Sequence, residues 1–336
     1  MSKAAELAKA GETLTNQPSG RKNMVTNGAM QVAQRSTSET GLGAAAGYFT
    51  LDRYKIETAS SAGRLTMTQT ADGPSGFANC LKLDCTTADT SIGASELVTL
   101  SQIIEGQNVQ HFCKGTSSAK HYAVSFYVKG NASATYVCEL FDADNSRHVC
   151  KTFTVGTDWS RVELSFPADT TGAYDDDNAA SLHLQIFLHA GSNFTSGTLP
   201  ATWASKTNAN RAAGGGSFFD STDRTFFITG VQLEVGQNPT SFESEPVERT
   251  LAKCQRYYLK STNTAVTSYP SSGGYANGMY LFPVPMRADP TGSYTDVSGN
   301  GSGLAYANNV DGFFATYQSL VASSAGGFSF TQDAEL

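Results

Sequence analysis

The run Ser181-Leu-His-Leu-Gln-Ile-Phe-Leu-His189 alternates apolar residues with hydrogen-bonding or aromatic ones. At the two-residue period of a strand, Leu182, Leu184, Ile186 and Leu188 form one row, and His183, Gln185, Phe187 and His189 the other. A sheet face carrying imidazole, amide and phenyl groups side by side suits a sugar. Apolar sugar faces stack on aromatic rings while hydroxyls bond to polar side chains. An ordinary polar outer face is the competing reading. Tyr127 joins such a face if Val124, Phe126 and Val128 point inward. Trp203 sits in a long stretch, 191–216, rich in Ser, Thr, Asn and Gly. It is either a ligand platform or a ring tucked under its own loop. Trp159, after a turn and before a strand-like run, reads as a core anchor.

Other chemistry has less support. There is no Gly-x-Ser-x-Gly elbow, no HExxH and no phosphate loop. Carboxylates are plentiful, but none can be paired at glycosidase spacing from the sequence, so no catalytic residue is assigned. The acidic run Asp175, Asp176, Asp177, with Asp169 nearby, offers oxygen ligands that suit calcium. It lacks EF-hand spacing, and such a run is usually a solvated turn. The cysteines at 80, 85, 113, 138, 150 and 254 form no CxxC pair and no cluster with histidine, so they read as small buried hydrophobes. Cys138 and Cys150 lie on runs that look like one hairpin and are the pair to test for a disulfide. Asp52-Arg53-Tyr54 reads as a structural ion pair beside a core aromatic.

The net charge is −7, and no basic cluster exceeds Arg21-Lys22. Nucleic-acid binding is disfavoured, because phosphate contacts need a positive footprint. No run of about 18 apolar residues suggests membrane insertion. Charged residues make up only 16% of the chain, and glycine occurs 32 times, which suits an all-β protein with many turns rather than a disordered chain.

The elements that would position these residues are mostly strands. Alternating runs occupy 64–70, 78–84, 122–129, 135–141, 149–155, 159–166, 181–189 and 225–235, separated by turn clusters. Many short strands without intervening helices predict a β-sandwich of jelly-roll, galactose-binding-like type over 23–245, with its terminal strands side by side. A short helix is expected near 2–10, followed by a polar linker to 22, and a connecting helix over 246–260 after Pro246. Residues 261–336 hold one basic residue and eleven aromatics. They read as a second small β-domain, with strands near 278–282, 303–307 and 313–318. Roughly 75 residues is close to the lower limit for an isolated core. Tyr269, Tyr275, Tyr294 and Tyr306 lie in or beside its Gly/Ser/Asn-rich stretches and are candidate contact residues. The alternating residues at 279–282 read as the domain's own core.

Two segments carry a family resemblance. The first is Asn23-Met-Val-Thr-Asn-Gly-Ala-Met-Gln-Val-Ala-Gln-Arg35, followed by Gly47-Tyr-Phe-Thr-Leu-Asp-Arg-Tyr54. The second is Ile228-Thr-Gly-Val-Gln-Leu-Glu-Val-Gly236, leading into Glu248-Arg-Thr-Leu-Ala-Lys-Cys-Gln-Arg-Tyr-Tyr258. In this order they resemble the ends of the carbohydrate-binding-module-like jelly-roll domain of bacteriophage tail-fibre and related virion fibre proteins. Tyr54 stands where that family more often has Trp. The resemblance implies a homotrimer, assembled in the host cytoplasm and exposed on the virion. Residues 1–20 would anchor it to tail, portal or capsid proteins, and its C-terminal domain would project outward as a tip that contacts a host-surface glycan. A capsid decoration protein with a structural role, and a glycan depolymerase, are the alternatives.

Overall fold

The computed structural model describes residue 3 and residues 22–267, 275–296, 301–319 and 325–336. The chain divides into two compact units between Glu245 and Pro246. Apart from Lys3 and Lys22, the expected N-terminal helix and its linker lie outside the described residues.

The first unit is a jelly-roll β-sandwich of antiparallel strands. One sheet runs β1 (Ser38–Leu42), β4 (Arg64–Thr70), β5 (Cys80–Thr87), β13 (Thr225–Val235), β7 (Tyr122–Gly130) and β10 (Ser160–Phe166). The other runs β12 (Ala204–Ser205), β9 (Arg147–Val155), β8 (Ala134–Asp142), β11 (Ala180–Ala190), β6 (Leu97–Glu105), β3 (Lys55–Ala59) and β2 (Gly47–Tyr48). Alternation decides which side of each strand faces the core. Val124, Phe126 and Val128 of β7 and Phe226 and Ile228 of β13 meet Leu182, Leu184, Ile186 and Leu188 of β11 in one cluster. Aromatic edges fill it: Phe126 meets Phe153 at 5.0 Å and Tyr136 meets Phe226 at 5.5 Å.

The entering segment lies beside the last strand, Met24 N donating to Leu233 O at 2.8 Å and Val231 N to Gly28 O at 2.9 Å. Between these contacts β13 bulges at Gly230, whose φ of +61° suits glycine. A Cβ there would lie 2.7 Å from the Phe77 ring. The Asp52-Arg53-Tyr54 segment is buried, with Asp52 accepting from Gln34 N at 2.8 Å.

Strand β6 escapes an alternation rule. Thr99, Ser101 and Gln102 are buried along with Val98, Leu100, Ile103 and Ile104, so both of its faces are covered and no two-residue pattern results. Cys138 and Cys150 do sit on neighbouring strands, but Cys138 pairs across from Lys151, and Cys150 from Glu139. They therefore point to opposite faces, and all six cysteines are free thiols.

Trp159 departs from its expected place in the core. It is half-buried on the outer face of the six-stranded sheet, where its Nε1 donates to Asp72 O at 3.1 Å and Lys129 Nζ sits 5.3 Å from its ring. The reason is register: Ser160 opens β10, so Trp159 precedes the ladder rather than joining its inner row.

The second unit begins with a helix shorter than expected, α2 (Val247–Gln255); α1 (Ser192–Thr195) belongs to the first unit. Tyr258 and Leu259 already pair with Asp333 and Gln332, which ends the helix early. Its strands form two three-stranded sheets. One is ordered β14 (Tyr258–Thr267), β19 (Ala325–Asp333), β16 (Thr291–Asp296), the other β15 (Tyr275–Leu281), β18 (Gly312–Ser319), β17 (Gly301–Asn309). Phe282, Met286, Phe313, Phe328 and Phe330 form the core. Only one row of the 279–282 segment joins it. Tyr280 stacks on Phe313 at 4.9 Å, whereas Met279 and Leu281 are each 71% exposed, because the strand has a single covered face.

Phe126→Ala should lower the stability of the first unit by about 3–5 kcal/mol, as expected for a fully buried aromatic. Urea denaturation of the full chain followed by far-UV circular dichroism measures this; an unchanged midpoint for the sandwich transition would contradict the packing described.

Candidate functional site

The outer face of the seven-stranded sheet is read from its register. One row runs Tyr48, Lys55, Ser101, Gln185, Glu139, Cys150 across β2, β3, β6, β11, β8 and β9. A flanking row runs Ile103, His183, Phe141, His148, and the other Glu57, Thr99, Phe187, Val137, Thr152.

Half of this face is covered. The 191–216 segment folds back over it, and Arg211 reaches down to the centre. Its Nη2 donates to Glu139 Oε2 at 2.6 Å and to Gln185 Oε1 at 2.8 Å, and its Nε to Glu139 Oε1 at 3.1 Å. His148 Nδ1 lies 2.8 Å from Glu139 Oε1. Gln185 Nε2 donates to Glu57 Oε2 at 2.6 Å and to Ser101 Oγ at 3.1 Å. Burial by itself pushes the Glu139 carboxyl up; the bond from His148 and the Arg211 charge outweigh it and hold the group below the usual carboxylate range. The Cys150 thiol is pushed up, first by burial and then by Glu139, and stays protonated. Phe187 packs with Val137, Cys150 and Ala212 beneath the loop.

The middle of the loop is tied down separately. Lys114 is fully buried, 2.6 Å from Asp142 Oδ2 and 3.1 Å from Asp169 Oδ2. Arg147 bridges Asp169 at 2.7 Å and the Trp203 carbonyl at 3.1 Å. The Trp203 ring lies 5.3 Å from Tyr122, and its Nε1 donates to Pro167 O at 2.9 Å.

The open half holds a strip of half-buried and exposed side chains. Phe141 and His183 meet edge to face at 5.4 Å, and exposed Lys206 places its Nζ 4.7 Å from the Phe141 ring. Burial and then the Lys55 charge lower the His183 pKa to about 4, so the ring is neutral near pH 7 and its Nε2 has no hydrogen-bond partner. Lys55 and Glu57 are half-buried, and Lys55 Nζ lies 5.7 Å from the Tyr48 ring. A neutral imidazole, a phenyl ring and flanking charges form a surface for a polar, ring-shaped ligand.

The candidates read from the sequence therefore separate. His183 borders the open strip. Gln185 and Phe187 share its face but lie under the loop, because Glu139 draws Arg211 over them. Trp203 is a buried ring under its own loop rather than a platform. Asp175, Asp176 and Asp177 form an exposed turn, in which Asp177 Oδ1 caps Ala179 N at 2.9 Å. Tyr269 and the side chain of Tyr275 lie outside the described residues. Tyr294 packs against the Phe313 ring at 5.0 Å and donates to Asn308 Oδ1 at 2.6 Å; burial lifts its phenol to about 12. It supports its own domain instead of standing free, while Tyr306, 45% exposed, lies over it at 3.7 Å. Arg211, Glu139, Phe141, Lys206 and Glu57 also line this face, and the strand period alone does not point to them. Glu139 carried a signal, an acid in the middle of an otherwise apolar strand run.

No family model and no curated protein matches this chain, so the resemblance to virion fibre proteins stands on the two motifs alone. Solved structures similar to it include one titled for a family 4 carbohydrate-binding module, at 11% identity and TM-score 0.33, covering 63% of this chain and 99% of that one. Another is a family 61 module in complex with β-1,4-galactotriose, at 10% identity and TM-score 0.32, covering 64% and 100%. A third is the family 11 module of a Clostridium thermocellum cellulosomal cellulase, at 13% identity and TM-score 0.30, covering 57% and 97%. Such TM-scores say nothing about which residues bind a ligand; the jelly-roll assignment rests on the strand order itself. Among the described residues no helix is long and apolar enough to cross a membrane.

Arg211→Met should cost about 3–5 kcal/mol by leaving Glu139 buried without its cation, whereas the double change with Glu139→Leu should recover much of that loss. A thermal-melt double-mutant cycle measures the coupling.

Acid dependence separates two groups. His183 has a lowered folded pKa, so the unfolded chain binds more protons, and stability is lost as pH falls from about 6.5 to about 4. Glu139 is also depressed, so its contribution is present above the ordinary carboxylate range and is lost as pH falls through it. His183→Gln should flatten the profile between pH 6.5 and 4 while leaving the steeper loss below; an unchanged slope in that window would remove His183 as its cause.

Proposed function

We propose that this chain is a non-catalytic, glycan-binding virion fibre protein, with its glycan on the open strip of the seven-stranded sheet. The observation that carries this reading is the juxtaposition of Phe141, neutral His183 and Lys206 beside the Lys55–Glu57 edge. It supplies a ring to stack on and polar groups for hydroxyls. The nearby carboxylates are engaged in other work, Glu139 with Arg211 and His148, and Glu57 with Gln185, which argues against a glycosidase acid–base pair. The titles of the similar solved structures name carbohydrate-binding modules, and the galactotriose complex is consistent with this class of ligand.

In the same reading the chain is a homotrimer held to the particle by residues 1–20, as the motif resemblance implies. The outer face of the β15–β18–β17 sheet supports self-association: Met279 and Leu281 are 71% exposed and Phe314 is 47% exposed, and Met279 and Phe314 are directly paired. The second unit also carries a groove with room for about 230 Å³, lined by Lys260 and by the hydroxyls of Thr262, Ser293, Thr295, Ser329 and Thr331. This groove, together with exposed Tyr306, is the surface of the tip suited to a receptor glycan. Weak sites repeated on the three chains of a trimer would add avidity.

The test is binding of the full chain to an array of bacterial surface glycans. His183→Ala with Phe141→Ala should weaken binding about tenfold, roughly 1.4 kcal/mol, with the circular dichroism spectrum unchanged. Wild-type binding by that double variant would overturn the strip as the site. Light scattering should give a trimer that Met279→Ser with Phe314→Ser dissociates; a wild-type monomer at micromolar concentration would end the oligomer reading. Deleting residues 1–20 should abolish incorporation into particles and leave the sandwich folded.

A further inference from the structure

Away from the glycan strip, three side chains converge at the far end of β11 and β6. His189 is the last residue but one of β11, Glu96 immediately precedes β6, and Asp89 follows β5. One ligand atom from each lies within 4.8 Å of the others. His189 Nε2 is 2.9 Å from Glu96 Oε2 and 3.8 Å from Asp89 Oδ2. Asp89 is 6% exposed, and its Oδ2 is buried with no hydrogen-bond partner. Among the described residues neither carboxylate pairs with a lysine or an arginine.

Two facing carboxylates in a dry site repel each other unless a proton or a cation lies between them. The geometry of the histidine accommodates the second as well as the first. Its Nδ1 lies 2.8 Å from Ser217 Oγ, which leaves Nε2 facing the two acids. That is the arrangement in which an outer hydroxyl fixes the ring and the inner nitrogen serves as a metal ligand. The Glu96 side chain, 12% exposed, is the edge nearest solvent.

We propose that Asp89, Glu96 and His189 form a binding site for a divalent transition-metal ion, zinc by its donor set of one imidazole and two carboxylates. Imidazole suits zinc and disfavours calcium, which takes oxygen ligands. The other buried cluster, Glu139, His148 and Cys150, is unsuited to this role, because Glu139 is already neutralised by Arg211. With three protein donors, the zinc would keep a position for water. The site lies under the start of β6 and would lock the 89–96 segment to β11.

The experiment uses the full chain, stripped with EDTA and titrated with zinc chloride by calorimetry, with metal content checked by mass spectrometry. One ion per chain is expected. Asp89→Asn should weaken binding at least about tenfold, and Ser217→Ala, which spares all three ligands, should weaken it by about 10–100-fold. Cys150→Ala should leave it unchanged. Cobalt substitution of the wild type should give d–d absorption without an intense thiolate charge-transfer band, and this readout holds even if Asp89→Asn fails to fold. No zinc bound, affinity unchanged in both Asp89→Asn and Ser217→Ala, loss with Cys150→Ala, or calcium bound as tightly as zinc would each overturn the proposal.

Discussion

A carboxylate buried in the middle of a sheet dictates much of the sandwich's outer surface. Glu139 is fully buried on β8, where desolvation opposes its charge. Ionisation is tolerated only because a guanidinium and an imidazole converge on it. The guanidinium belongs to Arg211, which is 72 residues away in sequence, so the intervening loop must return across the face of its own sheet. Once it does, Phe187, Gln185 and Cys150 are under cover, and the part of this sheet face left open is the strip from Tyr48 to Phe141. Four inter-strand steps of about 4.8 Å make that strip roughly 19 Å across the strands.

A second buried charge stabilises the same covering from its other end. Lys114 satisfies its ammonium with Asp142, Asp169 and the carbonyls of Thr171 and Gly172. Asp169 then holds Arg147, and Arg147 holds the Trp203 carbonyl. Buried ion pairs of this kind contribute little net stability relative to apolar packing, but breaking one is costly. Their effect here is to give the loop one arrangement: a long, polar, glycine-rich segment is pinned at Trp203 and at Arg211.

The sandwich was legible in the sequence where apolar and polar residues take turns along a strand. β4, β7, β11 and β13 alternate cleanly, and each lies where the pattern puts it, within a residue or two. β6 was illegible because Gln102 interrupts its inward row and Leu97 and Ile103 its outward one, and the short β1, β2 and β3 are too brief to show a period. Period also predicts which residues share a face without predicting what lies over it. His183, Gln185 and Phe187 do share the outer row, yet only His183 stays near solvent. The partner that decides this, Arg211, comes from a segment with no periodicity at all. Trp203 failed as a platform for the same reason: a tertiary hydrogen bond to Pro167 O turns the ring inward.

The two polar clusters along β11 show how one strand can serve two chemistries. At Gln185 the acid on the neighbouring strand is answered by a permanent cation, and the result is a neutral, inert network that fixes a loop. At His189, four residues on, the acids Asp89 and Glu96 meet an imidazole and no guanidinium. Imidazole, unlike guanidinium, can bind a metal ion through a ring nitrogen that its outer hydrogen bond leaves free. The inert cluster lies beneath Arg211 and the responsive one beside Ser217, a residue that also caps the turn Phe218–Asp220 by accepting from Phe219 N at 3.0 Å. The segment from Arg211 to Ser217 thus joins both clusters.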